Sequence, residues 1–298
     1  MKPDLHNNPI VPQGWLRAVL FVVFYFGCLL IAGFFLLYSH KPPVDIKDIA
    51  KGNTPYLLLI TNALISLAAV WLFRKVIDRK SFESIGFSID KNGNHAGSGF
   101  FLGILLLCAG TCILYFSKNL VWTDISFSGN DLFISFGLMV IVAFYEEMVF
   151  RGYILNNLLE SANKWLALCI SALVFTLGHL ANPDFSVVAA GNIFLAGILL
   201  GLNYIYTRNL WFGMMLHFSW NFFQGPILGY EVSGLHLQSL FQHDIQGSVL
   251  LTGGKFGFEG SLVASALCLL AIVALIWLYE KKYAFVHALS PVSDNTVV

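Results

Sequence analysis

Residues 131–160 read DLFISFGLMVIVAFYEEMVFRGYILNNLLE, and this stretch decides the fold. It exceeds the about 20 mostly apolar residues that cross a bilayer as a helix, and no Gly-Pro break interrupts it. Three ionisable residues, Glu146, Glu147 and Arg151, nevertheless stand inside it. Charged groups in hydrocarbon usually face a polar cavity, pair with one another and mark function. The stretch therefore predicts one long membrane helix with a functional site partway along it.

The composition is that of a membrane protein. Hydrophobic residues make up 57% of the 298 residues and charged residues only 11%, whereas a soluble domain carries about 25% charged residues. The 17 Lys and Arg residues balance 17 Asp and Glu residues, so no excess charge attracts nucleic acid. The five cysteines lie in apolar runs without the spacing of a disulfide framework or a zinc site, and we expect them to be small buried hydrophobes. They are Cys28, Cys108, Cys112, Cys169 and Cys268.

Eight apolar segments predict an all-α fold, a polytopic transmembrane helix bundle of about eight spans. We divide the chain into an N-terminal transmembrane region with three spans (1–130), a catalytic core (131–225), and a segment (226–298) with a Gly-rich loop, the last span and a polar tail. The Gly-rich connection, 225–260, is long enough for a lid and equally fits a plain connector. The predicted spans are 17–38, 55–73, 99–116, 131–160, 165–180, 187–206, 210–223 and 261–279.

The Lys and Arg residues of the loops predict how the protein is oriented in the membrane. Lys and Arg, with Arg17 and Arg74 among them, are more numerous at the end of the bundle that holds the N-terminus than at the other end. By the positive-inside rule, both termini are then cytoplasmic. Two Gly-x-x-x-Gly pairs also suit close helix packing in lipid, although ordinary glycines of membrane helices would give the same pattern. These pairs are Gly99 with Gly103 and Gly197 with Gly201.

The charges inside the fourth predicted helix divide into a pair and a free carboxylate. Glu147 and Arg151 are four residues apart, with Glu on the N-terminal side, which is the favoured order for a helical ion pair. Glu146 is rotated by about 100° from Glu147 and lacks that partner. An unpaired carboxylate in an apolar site suits a general base or acid. The alternative is that both glutamates merely line a wet groove.

Two histidines on later helices are predicted to meet Glu146. Phe175 and His179 share one face of the fifth predicted helix, and His217 and Asn221 share one face of the seventh. If the fourth and fifth helices form an antiparallel hairpin, Glu146 and His179 lie at nearly the same depth. His217 and Asn221 then lie a little nearer the cytoplasm, within reach of the same cavity.

This combination of side chains suggests hydrolysis. Glu146 can take a proton from water with help from His179, and His217 and Asn221 can donate hydrogen bonds to the developing oxyanion. The same groups can instead hold zinc, with Glu146, His179 and His217 as three ligands and water as the fourth. The H-E-x-x-H motif of many zinc proteases is absent. The sequence therefore does not decide whether the site uses a cofactor, and zinc is the candidate.

Three motifs in order, Glu146-Glu147-x-x-x-Arg151, Phe175-x-x-x-His179 and His217-x-x-x-Asn221, resemble the CPBP family of intramembrane proteases. This family includes the CAAX prenyl endopeptidases and bacterial members described as abortive-infection or bacteriocin-immunity proteins. The resemblance covers about 90 residues and implies a helical bundle with a cavity between the motif helices. It also implies that Glu146 and His179 activate water and that His217 and Asn221 stabilise the oxyanion, with Glu147 and Arg151 in support. The family carries the name metalloprotease, and a metal-free glutamate mechanism has also been argued for its prenyl-processing members.

The sequence thus predicts an intramembrane endopeptidase in the lipid bilayer that cleaves membrane-anchored proteins or peptides. Two other functions remain open. A proton-coupled transporter also places Glu, His and Arg within the membrane, and it predicts broken helices in corresponding halves of the chain, which we do not find. An immunity or binding protein would use the same polar cavity without turnover.

Overall fold

The structure, a computed structural model, describes residues 8–39, 54–88 and 94–289. Helices dominate these ranges, which confirms the predicted all-α polytopic bundle. Eight helices of 12 residues or more occur there, one for each predicted apolar segment. They are α1 (Gly14–Ser39), α2 (Thr54–Leu72), α3 (His95–Phe116), α4 (Gly129–Glu147), α5 (Lys164–Gly178), α6 (Val187–Thr207), α7 (Trp211–Phe222) and α8 (Leu262–Leu289).

The eight helices differ in their ability to span a bilayer. Among the described residues, α1, α2, α3, α4, α6 and α8 are long and apolar enough to cross. By contrast, α5 has 15 residues and α7 has 12, so they cover only about 22 and 18 Å of a hydrocarbon core about 30 Å thick. The bundle therefore combines six candidate spans with two shorter helices. His179 directly follows the first of these, and His217 lies on the second.

The helix that carries the charged motif changes its winding beside that motif. Ser128 caps the start of α4 by accepting a hydrogen bond from the backbone N–H of Asp131 at 3.4 Å. After Glu147 the chain continues as a π-helix over Met148–Leu155 and a last α-turn, Asn156–Leu158. Every residue of the π-helix is buried. Such wider turns occur often at functional sites, and the sequence, read as one regular helix, did not predict this one.

Close helix contacts form at both predicted glycine pairs. A Cβ atom on Gly99 of α3 would lie 2.2 Å from the backbone oxygen of Phe212 in α7, and one on Gly103 would lie equally close to Ser219 Oγ. On α6, a Cβ on Gly197 would lie 2.8 Å from the Cβ of Ala172 in α5. Helices in lipid gain stability from such approach of backbones. The packing interpretation of the glycine pairs is confirmed.

We expect Gly99→Ala to destabilise the protein by about 1–3 kcal/mol, because its methyl group would force α3 away from the backbone of α7. The measurement is the thermal midpoint of the purified protein in detergent. Gly137→Ala is the matched control: it lies on α4 with nothing within 4 Å of an added Cβ, so it should gain the small helix-propensity benefit of alanine. Equal midpoints for the two variants would contradict the packing argument.

The Gly-rich connection between α7 and α8 is folded. Its strand β2 (Phe241–Ile245) pairs antiparallel with β1 (Leu120–Ile125), which follows α3, with Leu120 opposite Ile245. Phe256 and Phe258 in the same connection are fully buried. The structure thus adds a small two-stranded sheet at one end of the bundle. The predicted polar tail is helical up to Leu289, and residues 290–298 lie outside the described residues.

Buried charges hold the opposite end of the bundle together. Asp78, just after α2, binds Arg17 of α1 at 3.4 Å and Arg74 at 2.7 Å, and all three side chains are buried. The hydroxyl of Tyr153 donates to the same carboxylate at 3.1 Å, and Arg17 also pairs with Glu160. Arg17 and Arg74 are therefore not free loop charges, because Asp78 and Glu160 pair with them inside the protein. The side of the membrane on which the termini lie stays a prediction.

The cysteines are free thiols within the part of the chain that the structure describes. Cys268 is buried and Cys28 is half-buried, but Cys108, Cys112 and Cys169 are exposed on helix surfaces. The prediction that all five are buried is wrong for these three. A helix surface that faces hydrocarbon accepts a thiol as readily as a protein core does, so an apolar run alone does not predict burial.

Candidate active site

The ion pair predicted on α4 lies in the centre of the bundle. Arg151 Nη1 donates to Glu147 Oε1 at 2.7 Å, and both side chains are almost completely buried. Arg151 Nη2 also donates to the backbone oxygen of Gly197 at 3.0 Å, and the guanidinium lies 4.5 Å from the centre of the Phe175 ring. Arg151 thus neutralises Glu147 and connects α4 with α5 and α6.

The same carboxylate orients His217. Its Nδ1 lies 3.0 Å from Glu147 Oε1, and because an ionised carboxylate only accepts, Nδ1 is the donor. The Nε2 atom is then free to face Glu146 Oε2, at 3.8 Å. Glu147 therefore binds Arg151 and His217 through one oxygen, while its other oxygen, Oε2, is buried without a hydrogen-bond partner.

His179 approaches Glu146 from α5, which ends at the preceding residue. Its Nδ1 lies 2.8 Å from the backbone oxygen of Phe175, which can only accept, so Nδ1 carries a proton. The Nε2 atom lies 4.0 Å from Glu146 Oε2. The Phe175 ring packs against the His179 ring, with 4.5 Å between their centres. The spacing of these two residues thus reflects a backbone hydrogen bond and a ring contact that together fix the imidazole.

The two carboxylate oxygens of Glu146 have different surroundings. Oε1 accepts a hydrogen bond from the hydroxyl of Tyr145 at 3.3 Å. Oε2 is buried, has no hydrogen-bond partner and faces the Nε2 atoms of His179 and His217. The Glu146 side chain is 13% exposed, so the site retains some access from outside. One carboxylate oxygen and two imidazole nitrogens therefore converge on the same point.

Asn221 lies outside this group of contacts. It is 6% exposed and follows His217 by one turn of α7, and within the described ranges no hydrogen bond joins it to the two glutamates or the two histidines. The structure thus brings together Glu146, Glu147, Arg151, His179 and His217, and Asn221 lies one turn of α7 beyond His217.

Sequence reasoning missed Glu259, which lies between α7 and α8. It is 9% exposed and accepts hydrogen bonds from the backbone N–H and the hydroxyl of Ser233. Burial raises the pKa of Glu259, although the Ser233 hydrogen bonds and the nearby His179 and His217 oppose this. No motif surrounds Glu259, and only the folding of the connection brings it near the histidines.

The three zinc ligands considered from the sequence are spread too widely for a tetrahedral site as they stand. Ligand atoms about 2.0–2.2 Å from zinc lie about 3.3–3.5 Å from one another, whereas Glu146 Oε2 is 4.0 Å from His179 and 3.8 Å from His217. Among the described residues, no group of three or more His, Cys, Asp or Glu side chains has the geometry of a metal site. Zinc bound by Glu146, His179 and His217 stays a prediction, and the chemistry proposed below is derived for the side chains alone.

Comparison with known protein families finds a match. A family model described as type II CAAX prenyl endopeptidase Rce1-like matches residues 128–223. This range begins at the residue that caps α4 and ends just after α7, and it contains the glutamates, the histidines, Arg151 and Asn221. No curated protein matches the chain.

Proposed function

We propose that this integral membrane protein hydrolyses peptide bonds of membrane-anchored proteins or peptides within the bilayer, and the match of residues 128–223 to the type II CAAX prenyl endopeptidase family model supports this. The observation that carries the proposal is the unpartnered oxygen Glu146 Oε2, which faces two imidazole nitrogens. A buried carboxylate oxygen without a donor is costly unless a substrate or water completes its hydrogen bonds.

Glu146 is the proposed general base. A water molecule can lie about 2.8 Å from both Glu146 Oε2 and His179 Nε2, because these two atoms are separated by 4.0 Å. Glu146 takes one proton from this water as the oxygen attacks the carbonyl carbon of the peptide bond. His179 Nε2, whose ring is oriented through Nδ1, accepts the other hydrogen bond of the water.

His217 and Asn221 are the proposed oxyanion stabilisers. Attack places negative charge on the former carbonyl oxygen, and donors fixed in a dry site stabilise such charge strongly. His217 donates from Nε2 when the ring carries both protons, a positive charge that the adjacent carboxylates of Glu146 and Glu147 balance. When the C–N bond breaks, the proton held at Glu146 passes to the leaving nitrogen. The other proton of the former water passes from the new carboxylic acid to His179 Nε2, so the products are a carboxylate and an amine.

Glu147 and Arg151 support this chemistry without touching the substrate. Arg151 holds Glu147 in place, and Glu147 holds the His217 ring so that Nε2 faces the site. A hydrogen-bonded partner on the second ring nitrogen also fixes which nitrogen carries the proton. The Glu147–Arg151 pair is therefore proposed to hold the His217 ring in its orientation.

The experiment is cleavage of membrane-anchored peptides by the purified protein in proteoliposomes. We expect the wild type to cleave, and His179→Gln to lower kcat/KM about 100-fold, at the lower end of what proton-transfer groups contribute. His236→Gln is the matched control, because His236 lies on the protein surface and its ion-pair partner among the described residues is Glu231, at 3.6 Å. Its rate should equal that of the wild type.

The same assay separates the other possibilities. Wild-type protein that cleaves no member of a broad set of anchored peptides would contradict the proposal and favour a binding or transport function. Full activity of His179→Gln would remove His179 from the mechanism. Loss of activity with a chelator, restored by zinc, would assign Glu146, His179 and His217 as ligands instead of a metal-free pair.

A further inference from the structure

Tyr145 is the one described side chain that donates a hydrogen bond to Glu146. Its hydroxyl lies 3.3 Å from Glu146 Oε1, on the side of the carboxylate opposite to the histidines. The terminal torsion of a glutamate is broad and soft. A donor on one oxygen therefore fixes the orientation of the carboxylate and with it the direction in which the other oxygen points.

Residues from α1 and α2 lie near Tyr145. On α2, the Ser66 hydroxyl donates to the backbone oxygen of Asn62 at 2.7 Å, so its oxygen accepts from Tyr25 of α1 at 3.0 Å. Asn62 and Tyr25 lie near the Tyr145 hydroxyl, and Tyr25 also lies near Glu146. Tyr25 and Ser66 are fully buried, so this arrangement belongs to the interior of the protein.

We propose that Tyr145 is a positioning residue for hydrolysis: its hydroxyl holds Glu146 Oε1 so that Oε2 faces His179 and His217. Tyr25, Asn62 and Ser66 position the hydroxyl in turn. These three residues lie outside the matched range 128–223, so α1 and α2 contribute to the orientation of the base. The inference rests on the proposed role of Glu146 as general base.

The test is Tyr145→Phe in the proteoliposome cleavage assay. Phenylalanine keeps the ring and removes only the donor, so we expect kcat to fall about 10–30-fold, within what a hydrogen bond to a charged group can supply, while KM changes less than twofold. Tyr25→Phe removes a more distant contact and should lower kcat about threefold. Tyr204→Phe is the matched control, because it loses a buried hydroxyl that donates to the backbone oxygen of Ile85, at 2.8 Å, away from the site. Its kcat per folded molecule should equal that of the wild type.

A second measurement distinguishes positioning from general stability. If Tyr145 acts by aligning Glu146 with His179, the two residues are coupled, and Tyr145→Phe should cost less than threefold in a His179→Gln background. A merely structural hydroxyl would cost the same factor in both backgrounds and would lower the thermal midpoint in parallel with kcat. Equal costs in the two backgrounds, or an unchanged kcat in Tyr145→Phe, would overturn the inference. Wild-type protein without any cleavage would instead overturn the proposed function.

Discussion

Glu146→Gln should reduce kcat/KM for cleavage of a membrane-anchored peptide at least about 1,000-fold, because an amide cannot take the proton from the attacking water. The substitution keeps the shape of the side chain, and Tyr145 can still donate to the oxygen of the amide. We therefore expect the thermal midpoint and the amount of protein in the membrane to remain those of the wild type. The measurement is the cleavage rate in proteoliposomes at matched amounts of folded protein.

Glu231→Gln is the control for this result. Glu231 belongs to the connection between α7 and α8, is 33% exposed and has the surface residue His236 as its partner, at 3.6 Å. Its loss should leave the rate unchanged. A Glu146→Gln protein that cleaves at even a tenth of the wild-type rate would exclude Glu146 as the base, whatever the effect on folding.

Arg151→Ala should have the largest effect on stability. Its removal leaves the carboxylate of Glu147 buried and unpaired by a cation, and breaking a buried pair in this way costs about 3–5 kcal/mol. The variant also loses the contact with the Phe175 ring. We expect the amount of protein in the membrane to fall several-fold, as measured by quantitative immunoblotting of membranes against an internal standard.

Two further variants test the reason for this loss. Lys164→Ala breaks an ion pair of similar length, 2.9 Å to Glu280, in which the two side chains are 35% and 53% exposed. It should leave the amount of protein unchanged because pairs so open to solvent contribute little. The double variant Glu147→Gln and Arg151→Met removes both charges together and should recover much of the protein, although His217 then lacks its carboxylate partner and cleavage stays low. Full accumulation of Arg151→Ala would show that Glu147 does not need the cation.

The sequence predicts the helices and part of the site because both depend on short-range patterns. Apolar runs mark helices in lipid, and the four-residue spacing of Glu147 and Arg151 already places their side chains side by side. The convergence of His179 with Glu146 follows from counting residues on either side of the turn between α4 and α5. The assigned catalytic roles and the domain boundaries remain predictions.

The remaining features depend on contacts between distant parts of the chain. No local pattern brings Ser66 to Tyr25 or Arg17 to Asp78, because each pair joins two different elements of the bundle. The π-helix after Glu147 is likewise absent from the apolar pattern, which fits a regular helix through the same residues. Glu259 reaches its place only through the folding of a glycine-rich segment.

The shortness of α5 has a consequence for the surrounding lipid. Leu166, Leu173 and Leu177 point out of the bundle and are about half exposed, yet the helix covers only about 22 Å of a hydrocarbon layer about 30 Å thick. A bilayer meets such a mismatch by thinning locally, at a modest cost in free energy. The polar headgroups then descend toward the end of the helix, where His179 lies. We therefore expect the membrane to be thinner beside the end of α5, where the proposed hydrolysis needs water.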